Sequence, residues 1–393
     1  MIPDTILIHY GEIALKGKNR NFFEERLIQN IKSQIESFAP GSFEYVKKFS
    51  GSILIKPNKN GIKNIEKVKG ALLHTFGITN FHFAVNVKQD IEALKKTCWE
   101  LFKDENFETF CINTRRSNKN FHLNSAQINE KVGEYVLEKF QGKKAVKLKK
   151  PDLICHINIV EKSALVSLEK IKGLGGMPAG TQGRAMVLMS GGFDSPIAAW
   201  QMLRRGVNVS YAHFHSIPYT SRASVEKVES LISALKKFGS SGNLYLIPFA
   251  EVQKEIMMKT PAPLRVILYR RFMMRIAENL AKKERALVLV IGDSVGQVAS
   301  QTLENIFAVN EAATLPVFRP LIGTDKEEII QTARKIGTYD ISRLPHDDCC
   351  TRLMPKSPEI RAKLSEVLAA EKNLNVEKII QETLEKTEKV AIK

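Results

Sequence analysis

Apolar residues recur at helical spacing in some stretches of the chain and in short unbroken or alternating runs in others, and the order of these patterns divides the sequence. Thr5–His9 predicts a strand, and Asn19–Phe38 an amphipathic helix with Phe22, Phe23, Leu27, Ile31 and Ile35 at helical spacing. Phe43–Lys48 and Ser52–Pro57 predict two strands about the Ser50-Gly51 turn. From Gly61 the pattern runs helix (Ile62–His74), strand (Ile78–Val87), helix (Ile91–Phe102), strand (Thr109–Arg115), helix (Ala126–Phe140) and two strands (Asp152–Glu161 and Ser163–Glu169). Gly173–Gly183 is glycine-rich without a hydrophobic period and marks a boundary. Beyond it come strand Ala185–Met189, helix Ser195–Leu203, strand Val207–His215, helix Ser224–Phe238 and strand Asn243–Pro248. Helices Glu251–Met258 and Leu264–Lys283, strand Ala286–Ile291 and helix Ala299–Ala308 follow. Such alternation predicts a parallel sheet covered on both faces, with a ligand at the carboxyl ends of its strands.

One of those ends reads Ser190-Gly191-Gly192-Phe193-Asp194-Ser195-Pro196. Two glycines allow the backbone close to an anion, and the next helix offers unpaired N–H groups and its positive dipole end. Pro196 suits the first helical position, with Ser195 before it as the expected cap. No lysine follows the glycines, so the loop is not of the Walker type, and Asp194 instead brings a carboxylate suited to Mg²⁺ on a leaving pyrophosphate. The S-G-G-x-D-S pattern resembles the PP-loop of ATP pyrophosphatases; the alternative is an ordinary glycine-rich turn. His213 and Phe214 end the second strand of this half, either beside an adenine or in the core. Gly292–Thr302 ends a later strand with a dense set of amide and hydroxyl groups. Arg270 and Arg271 lie in an otherwise apolar helix, one of them facing a phosphate or an RNA backbone, or both on the helix surface. Near the end stand Cys349 and Cys350, read as a nucleophile or sulfur carrier or as an inert buried pair; Asp347 and Asp348 oppose thiolate formation while His346, Arg343 and Arg352 favour it.

At 393 residues, with 44% hydrophobic and 26% charged positions, the chain suits two or three globular domains. Its net charge of +17 points to a polyanionic partner. Residues 59–150 carry 18 Lys/Arg against 10 Asp/Glu, so the excess gathers there. Lys16, Lys18 and Arg20 in a glycine-punctuated loop, Arg115, Arg116 and Lys119 at a strand end, and Lys143 and Lys144 before a strand are the candidates for RNA phosphate contacts. The last group suits the wet face of an edge strand equally well. Met1–Tyr10 has no signal-peptide pattern, no apolar run approaches a membrane span, and five cysteines show neither metal spacing nor a disulfide framework. No membrane partner, no protein metal site and a cytoplasmic location are therefore expected.

Taken together, Tyr10–Arg20, Ser190–Ser195, Gly292–Thr302 and Asp348-Cys349-Cys350 resemble the ThiI family of tRNA sulfurtransferases, the tRNA 4-thiouridine synthetases, over essentially the whole chain. The resemblance implies an α/β and α+β multidomain protein: a ferredoxin-like domain (1–57), a THUMP RNA-binding domain (58–172), a linker (173–183) and a PP-loop catalytic domain of the adenine nucleotide alpha hydrolase type (184–393). It implies ATP bound by Leu188, Met189, Ser190, Gly191, Gly192, Asp194, Ser195, His213, Phe214, Arg270, Gly292 and Gln301, with Mg²⁺, and catalysis by Asp194, Cys349 and Cys350. The implied reaction adenylates the C4 oxygen of uridine 8 in tRNA and replaces it with persulfide sulfur; some relatives also supply sulfur for thiazole synthesis. Many relatives carry a C-terminal rhodanese domain, whereas no cysteine follows Cys350 here. Sulfur is then expected from another protein such as a cysteine desulfurase, and a homodimer is the expected assembly. Two rivals stand beside this reading. A PP-loop ligase or amidotransferase for a small molecule leaves the basic half and the cysteine pair unexplained, and an RNA-binding protein with a degenerate nucleotide fold leaves the complete loop unexplained.

Overall fold

The computed structural model describes residues 1–49, 51–118, 120–161, 163–345, 355 and 357–391. The chain forms two compact units, Met1–Pro178 and Ala179–Lys393.

In the first unit, strands β1 (Thr5–Tyr10), β2 (Phe43–Phe49), β3 (Ser52–Pro57), β4 (Ile78–Val87), β5 (Thr109–Arg116), β6 (Ala145–Val146), β7 (Leu153–Ile159), β8 (Ala164–Ser167) and β9 (Ile171–Lys172) make one sheet. Its order is β2-β3-β1-β4-β8-β7-β5-β6, with β9 also on β4. β4 is long enough to serve two partners: Ile78 to Ala84 pair with β1, and Val85 to Val87 pair with β8. Each half of the sheet buries its own core. One gathers Ile6, Ile8, Leu27, Ile31 and Ile55, together with Val68, Ala71, Leu72, Ile78 and Phe81 from beyond residue 57. The other gathers Leu94, Phe102, Ile112, Ile128, Val132 and Ile157. Helix Ser125–Lys139 starts at a reciprocal cap, in which Asn124 Oδ1 accepts from Gln127 N and Gln127 Oε1 accepts from Asn124 N, both at 2.9 Å. The single helix expected over Ile62–His74 is instead two, Lys59–Lys63 and Ile65–Leu73. Asn64 breaks it: its amide donates to Asn60 O at 3.0 Å and to Asn60 Oδ1 at 2.9 Å, a local alternative to helical bonding.

A polar row crosses this sheet from strand to strand. Ser52 meets His9 Nδ1 at 3.0 Å, the His9 and His82 rings meet edge-on at 5.7 Å, His82 Nδ1 meets Ser167 at 3.1 Å, and His156 lies 5.1 Å from His82. Burial, aided by Arg115 and Lys170, pulls His9 down to about 4. Burial, aided by His156, His9 and Lys170, pulls His82 down to about 3, and burial also lowers His156. A histidine whose folded pKa lies below its unfolded value of about 6.5 stabilises the fold fully above that value and progressively less as pH falls toward the folded pKa. The denaturant midpoint of the full chain is therefore expected to fall between pH 6.5 and 4, and His82→Asn to flatten that slope. A midpoint independent of pH over this range would contradict the burial of neutral imidazoles.

In the second unit, β10 (Arg184–Leu188), β11 (Asn208–His215), β12 (Leu244–Pro248), β13 (Val288–Val290), β14 (Val317–Phe318) and β15 (Glu388–Val390) take the order β14-β13-β10-β11-β12-β15. The first five run parallel, as predicted for β10 to β13; β14 was not expected from the sequence. β15 adds an antiparallel edge that the sequence pattern did not announce, tied by Lys389 to Glu284 at 3.1 Å. Met186, Ala212, Ile247 and Leu289 pack under Leu268, Phe272 and Ile276 of helix Arg265–Lys283. Helices Asp194–Arg204 and Ala223–Lys236 pack against β10 and β11, whose alternate residues Val187, Val209 and Tyr211 are equally buried. With both faces covered, the open ground is at the strand ends. No helix among the described residues is long and apolar enough to cross a membrane.

Candidate active site

The loop after β10 is braced by serines. Ser195 Oγ accepts from Ser190 N at 2.9 Å and donates to Ser190 O at 3.1 Å, while Ser190 Oγ accepts from Gly192 N at 3.3 Å. Ser195 is thus not the helix cap expected from its place before Pro196. The helix starts one residue earlier, at Asp194, with Phe193 as an N-cap that contributes no side-chain bond. Lying already in the first turn, Ser195 turns its hydroxyl back across the loop.

Neither Gly191 nor Gly192 has a positive φ. A Cβ on Gly192 would meet only Ser190 Oγ, at an ordinary 3.5 Å, so the protein itself tolerates a side chain there. The space a Cβ would take is space beside the loop backbone. Gly292, at the end of β13, is different. A Cβ there would lie 2.8 Å from Asp194 C and from Ser195 N, so the two strand-end loops touch backbone to backbone and only glycine fits.

Between these loops lies a cleft of about 390 Å³. Leu188, Met189, Ser190, Asp194, Ser195, His213, Phe214, Arg270, Gly292 and Gln301 line it, Gly191 and Gly192 are not among its lining residues, and Met273, Met274 and Val298 add apolar wall. Its size and its mix of apolar walls with a few polar groups fall in the range of small-molecule and cofactor sites. His213 is 4% exposed, and its Nδ1 donates to Met189 O at 2.9 Å, which fixes the ring against the loop strand.

Arg270 and Arg271 part company. Arg270 faces the cleft, donating to both Asp293 oxygens at 2.7 and 2.6 Å and to Ser300 O at 2.9 Å. Arg319 Nε donates to the same Asp293 at 3.2 Å, and Gln301 joins at 3.2 Å. Burial pushes the Asp293 carboxyl up, but Arg270 and Arg319 outweigh it and hold it below the usual range. Arg271 points away from the cleft, fully buried, with Glu371 at 2.9 Å and Glu311 at 2.8 Å. Neither is a helix-surface charge.

Asp194 is held by residues far along the chain. Lys326 Nζ lies 2.9 Å from Oδ1, and Gln297 Nε2 donates to Oδ2 at 3.0 Å. Lys326 opens helix Lys326–Ile336, capped by Asp325, and also lies over the Phe193 ring. Nothing local in the sequence marks Lys326. Asp293 was visible inside the Gly292–Thr302 stretch but carries its role through two arginines that only folding assembles.

In the first unit, Lys18 and Arg115 are exposed. Lys16 lies over the Phe23 ring, and Arg20 is engaged in the fold, donating to Glu24 at 2.8 Å and to the Tyr10 hydroxyl at 2.7 Å. Arg116 donates to Phe121 O at 3.0 Å, and Lys144 donates to Phe107 O, so each spends donor capacity inside the unit. Lys143 is exposed beside β6, a two-residue strand at the sheet edge. Lys119, Cys349 and Cys350 lie outside the described residues. The other cysteines, Cys98, Cys111 and Cys155, are buried.

Family models match three successive parts of the chain: the ThiI ferredoxin-like domain over residues 5–82, the THUMP domain over 88–169, and the family described as thiamine biosynthesis protein (ThiI) over 180–376. A probable tRNA sulfurtransferase of Caldanaerobacter subterraneus subsp. tengcongensis is 44% identical over 96% of this chain and 97% of its own. That of Bacillus velezensis is 38% identical over 99% and 96%. Among solved structures, a 4-thiouridine synthetase in complex with RNA and ATP matches with a TM-score of 0.88 and 34% identity, covering 99% of this chain and all of the other.

Proposed function

Because the chain belongs to the ThiI family of tRNA sulfurtransferases, ATP-dependent enzymes that transfer sulfur to tRNA, we propose that it converts a uridine of tRNA, position 8 by family resemblance, into 4-thiouridine through an adenylated intermediate. The observation that carries this reading is the cleft at the strand ends, where Ser190 and the first-turn residues Asp194 and Ser195 of helix Asp194–Arg204 share one lining with His213 and Phe214. ATP enters with its phosphates on the loop and its base toward Phe214. Asp194 fits a Mg²⁺ ion: it is a carboxylate at the loop, oriented by Gln297 and Lys326, and Mg²⁺ commonly takes one carboxylate with substrate phosphates. When bound, the ion neutralises charge on the departing pyrophosphate.

The uridine C4 oxygen attacks the α-phosphorus, the bond to the β-phosphate oxygen breaks, and pyrophosphate leaves. Lys326, next to Asp194, supplies positive charge where that leaving group develops. The terminal sulfur of a cysteine persulfide then bonds to C4, the C4–O bond breaks, and AMP departs with the oxygen. A thiol opens the remaining S–S bond, leaving sulfur on C4 and a disulfide that an external thiol reduces. With Cys98, Cys111 and Cys155 buried, we assign the persulfide to Cys349 or Cys350, loaded by a cysteine desulfurase or another persulfide protein in the cytoplasm. We assign RNA binding to the unit Met1–Pro178, whose exposed Lys18, Arg115 and Lys143 suit phosphates, and catalysis to the unit from Ala179, acting as a homodimer.

The test is full-length protein with unmodified tRNA, ATP, Mg²⁺ and a cysteine desulfurase with cysteine, read as 4-thiouridine in digested RNA. The expected result is product with wild type and loss of product with Cys349→Ser or Cys350→Ser. Product that persists in both variants removes the carrier role from these residues.

A further inference from the structure

We infer that Asp293 is a positioning residue of the nucleotide cleft: it anchors Arg270 and fixes the Gln301 amide so that its carbonyl oxygen, Oε1, meets a hydrogen-bond donor of ATP. This rests on ATP occupying the cleft as proposed above.

Asp293 follows Gly292, lines the cleft and is only 3% exposed. Arg270 Nη2 donates to both of its oxygens, Arg319 Nε donates to Oδ2, and Gln301 Nε2 donates to Oδ1 at 3.2 Å. With two guanidiniums beside it the carboxyl group stays ionised at neutral pH, and an ionised carboxylate only accepts. The Gln301 amide therefore meets it through nitrogen and never through oxygen. Gln301 Oε1 is left over: it is buried, and among the described residues no group donates to it.

The backbone beneath this side chain is clamped as well. Gly296 N donates to Gln301 O at 3.0 Å, Gln301 N donates to Val298 O at 2.9 Å, and Asn305 Nδ2 donates to Ala299 O at 2.8 Å. Arg270 holds the same turn from its helix, through Ser300 O at 2.9 Å. A buried acceptor without a donor is costly, and a side chain anchored at both ends does not turn to find one within the protein. Because Gln301 lines the cleft, a bound ligand supplies it. ATP carries two kinds of donor at neutral pH, the ribose hydroxyls and the amino group of the base, while its ionised phosphates only accept. Oε1 therefore reads the nucleoside end of ATP, and Asp293 decides that the amide presents an acceptor there.

The experiment measures by calorimetry, on the full chain with Mg²⁺, the affinities of ATP, 2′-deoxy-ATP, 3′-deoxy-ATP and inosine triphosphate, in which an oxo group replaces the amine. Wild type is expected to bind at least one analogue about ten- to a hundredfold more weakly than ATP, because the missing donor leaves Oε1 unpaired. The analogue that pays this penalty identifies the donor. In both Asp293→Ala and Gln301→Met the same penalty is expected to shrink to about threefold or less, since the fixed acceptor is gone. General damage to the fold weakens all four nucleotides alike and leaves their ratios unchanged. Adding Arg319→Met to Asp293→Ala removes a positive charge together with the negative one; this charge-balanced pair is expected to lose the same selectivity, and it decides should Asp293→Ala alone not fold. Equal affinities in wild type, or a penalty that shrinks in neither variant or in Gln301→Met alone, overturn this inference while leaving ATP in the cleft. Failure of wild type to bind ATP overturns the reading of the cleft and this inference with it.

Discussion

Asp194→Asn should depress both pyrophosphate release and 4-thiouridine formation on the order of 10³-fold while ATP still binds. Asparagine keeps the size of the side chain and its acceptor for Gln297, but removes the charge that Lys326 meets at 2.9 Å and that would hold Mg²⁺. The rest of the cleft stays: Arg270 remains on Asp293, His213 on Met189, and the serine brace across Ser190 and Ser195 does not involve the carboxylate. The loss therefore belongs to the transition state rather than to the ground-state complex. ATP affinity by calorimetry and single-turnover adenylation on the same preparation separate the two. A variant that keeps about a tenth of the wild-type rate or more would mean that the phosphate charge is carried elsewhere in the cleft.

The second large effect is on stability. Arg271 is fully buried and spends its guanidinium on Glu371, Glu311 and Ala308 O, while Arg275 reaches the same Glu371 at 2.6 Å. Burial pushes Glu371 up, but these two arginines hold it down at about 2. The cluster joins helix Arg265–Lys283 to the helices Leu303–Asn310 and Leu364–Glu371. Arg271→Met leaves the buried Glu371 with Arg275 but without its second guanidinium, and should cost about 3 kcal/mol, on the order of 10 °C in Tm for a unit of this size. Adding Glu371→Leu should recover part of the loss, because replacing the buried Arg271–Glu371 pair by apolar groups removes the under-paired carboxylate, while Arg275, 21% exposed, turns to water. Thermal melts of the two single variants and the double variant close the cycle; additive losses would show that the three residues do not act as one cluster.

Periodicity carried the fold a long way. The parallel direction of β10 to β13 follows from helix and strand alternating after Ala179, whereas β14 lies beyond the last strand the pattern predicts, and the glycine-rich stretch Gly173–Gly183 spans the division between the units. Local chemistry was legible too, since Ser190, Asp194, His213, Phe214, Gly292 and Gln301 stand at strand ends that any such sheet brings to one edge. Where reading failed, a contact distant in sequence or a local competitor decided. Asn64 broke a helix by bonding to Asn60, and β15 found its place only because β12 offered an unpaired edge.

What the sequence determined by itself is the set of strand-end groups, because side chains at the carboxyl edge of a parallel sheet converge whatever the loops between them do. What only the tertiary structure decided is which charge meets which. Arg270 and Arg271 are neighbours in sequence, about 100° apart around a helix, and so one reaches Asp293 in the cleft while the other is buried on Glu371. Lys326 and Lys227 read as ordinary lysines; one reaches Asp194 from 132 positions away and the other reaches Ser342 across 115. Such pairings are set by the packing of whole helices, and no periodicity along the chain encodes them.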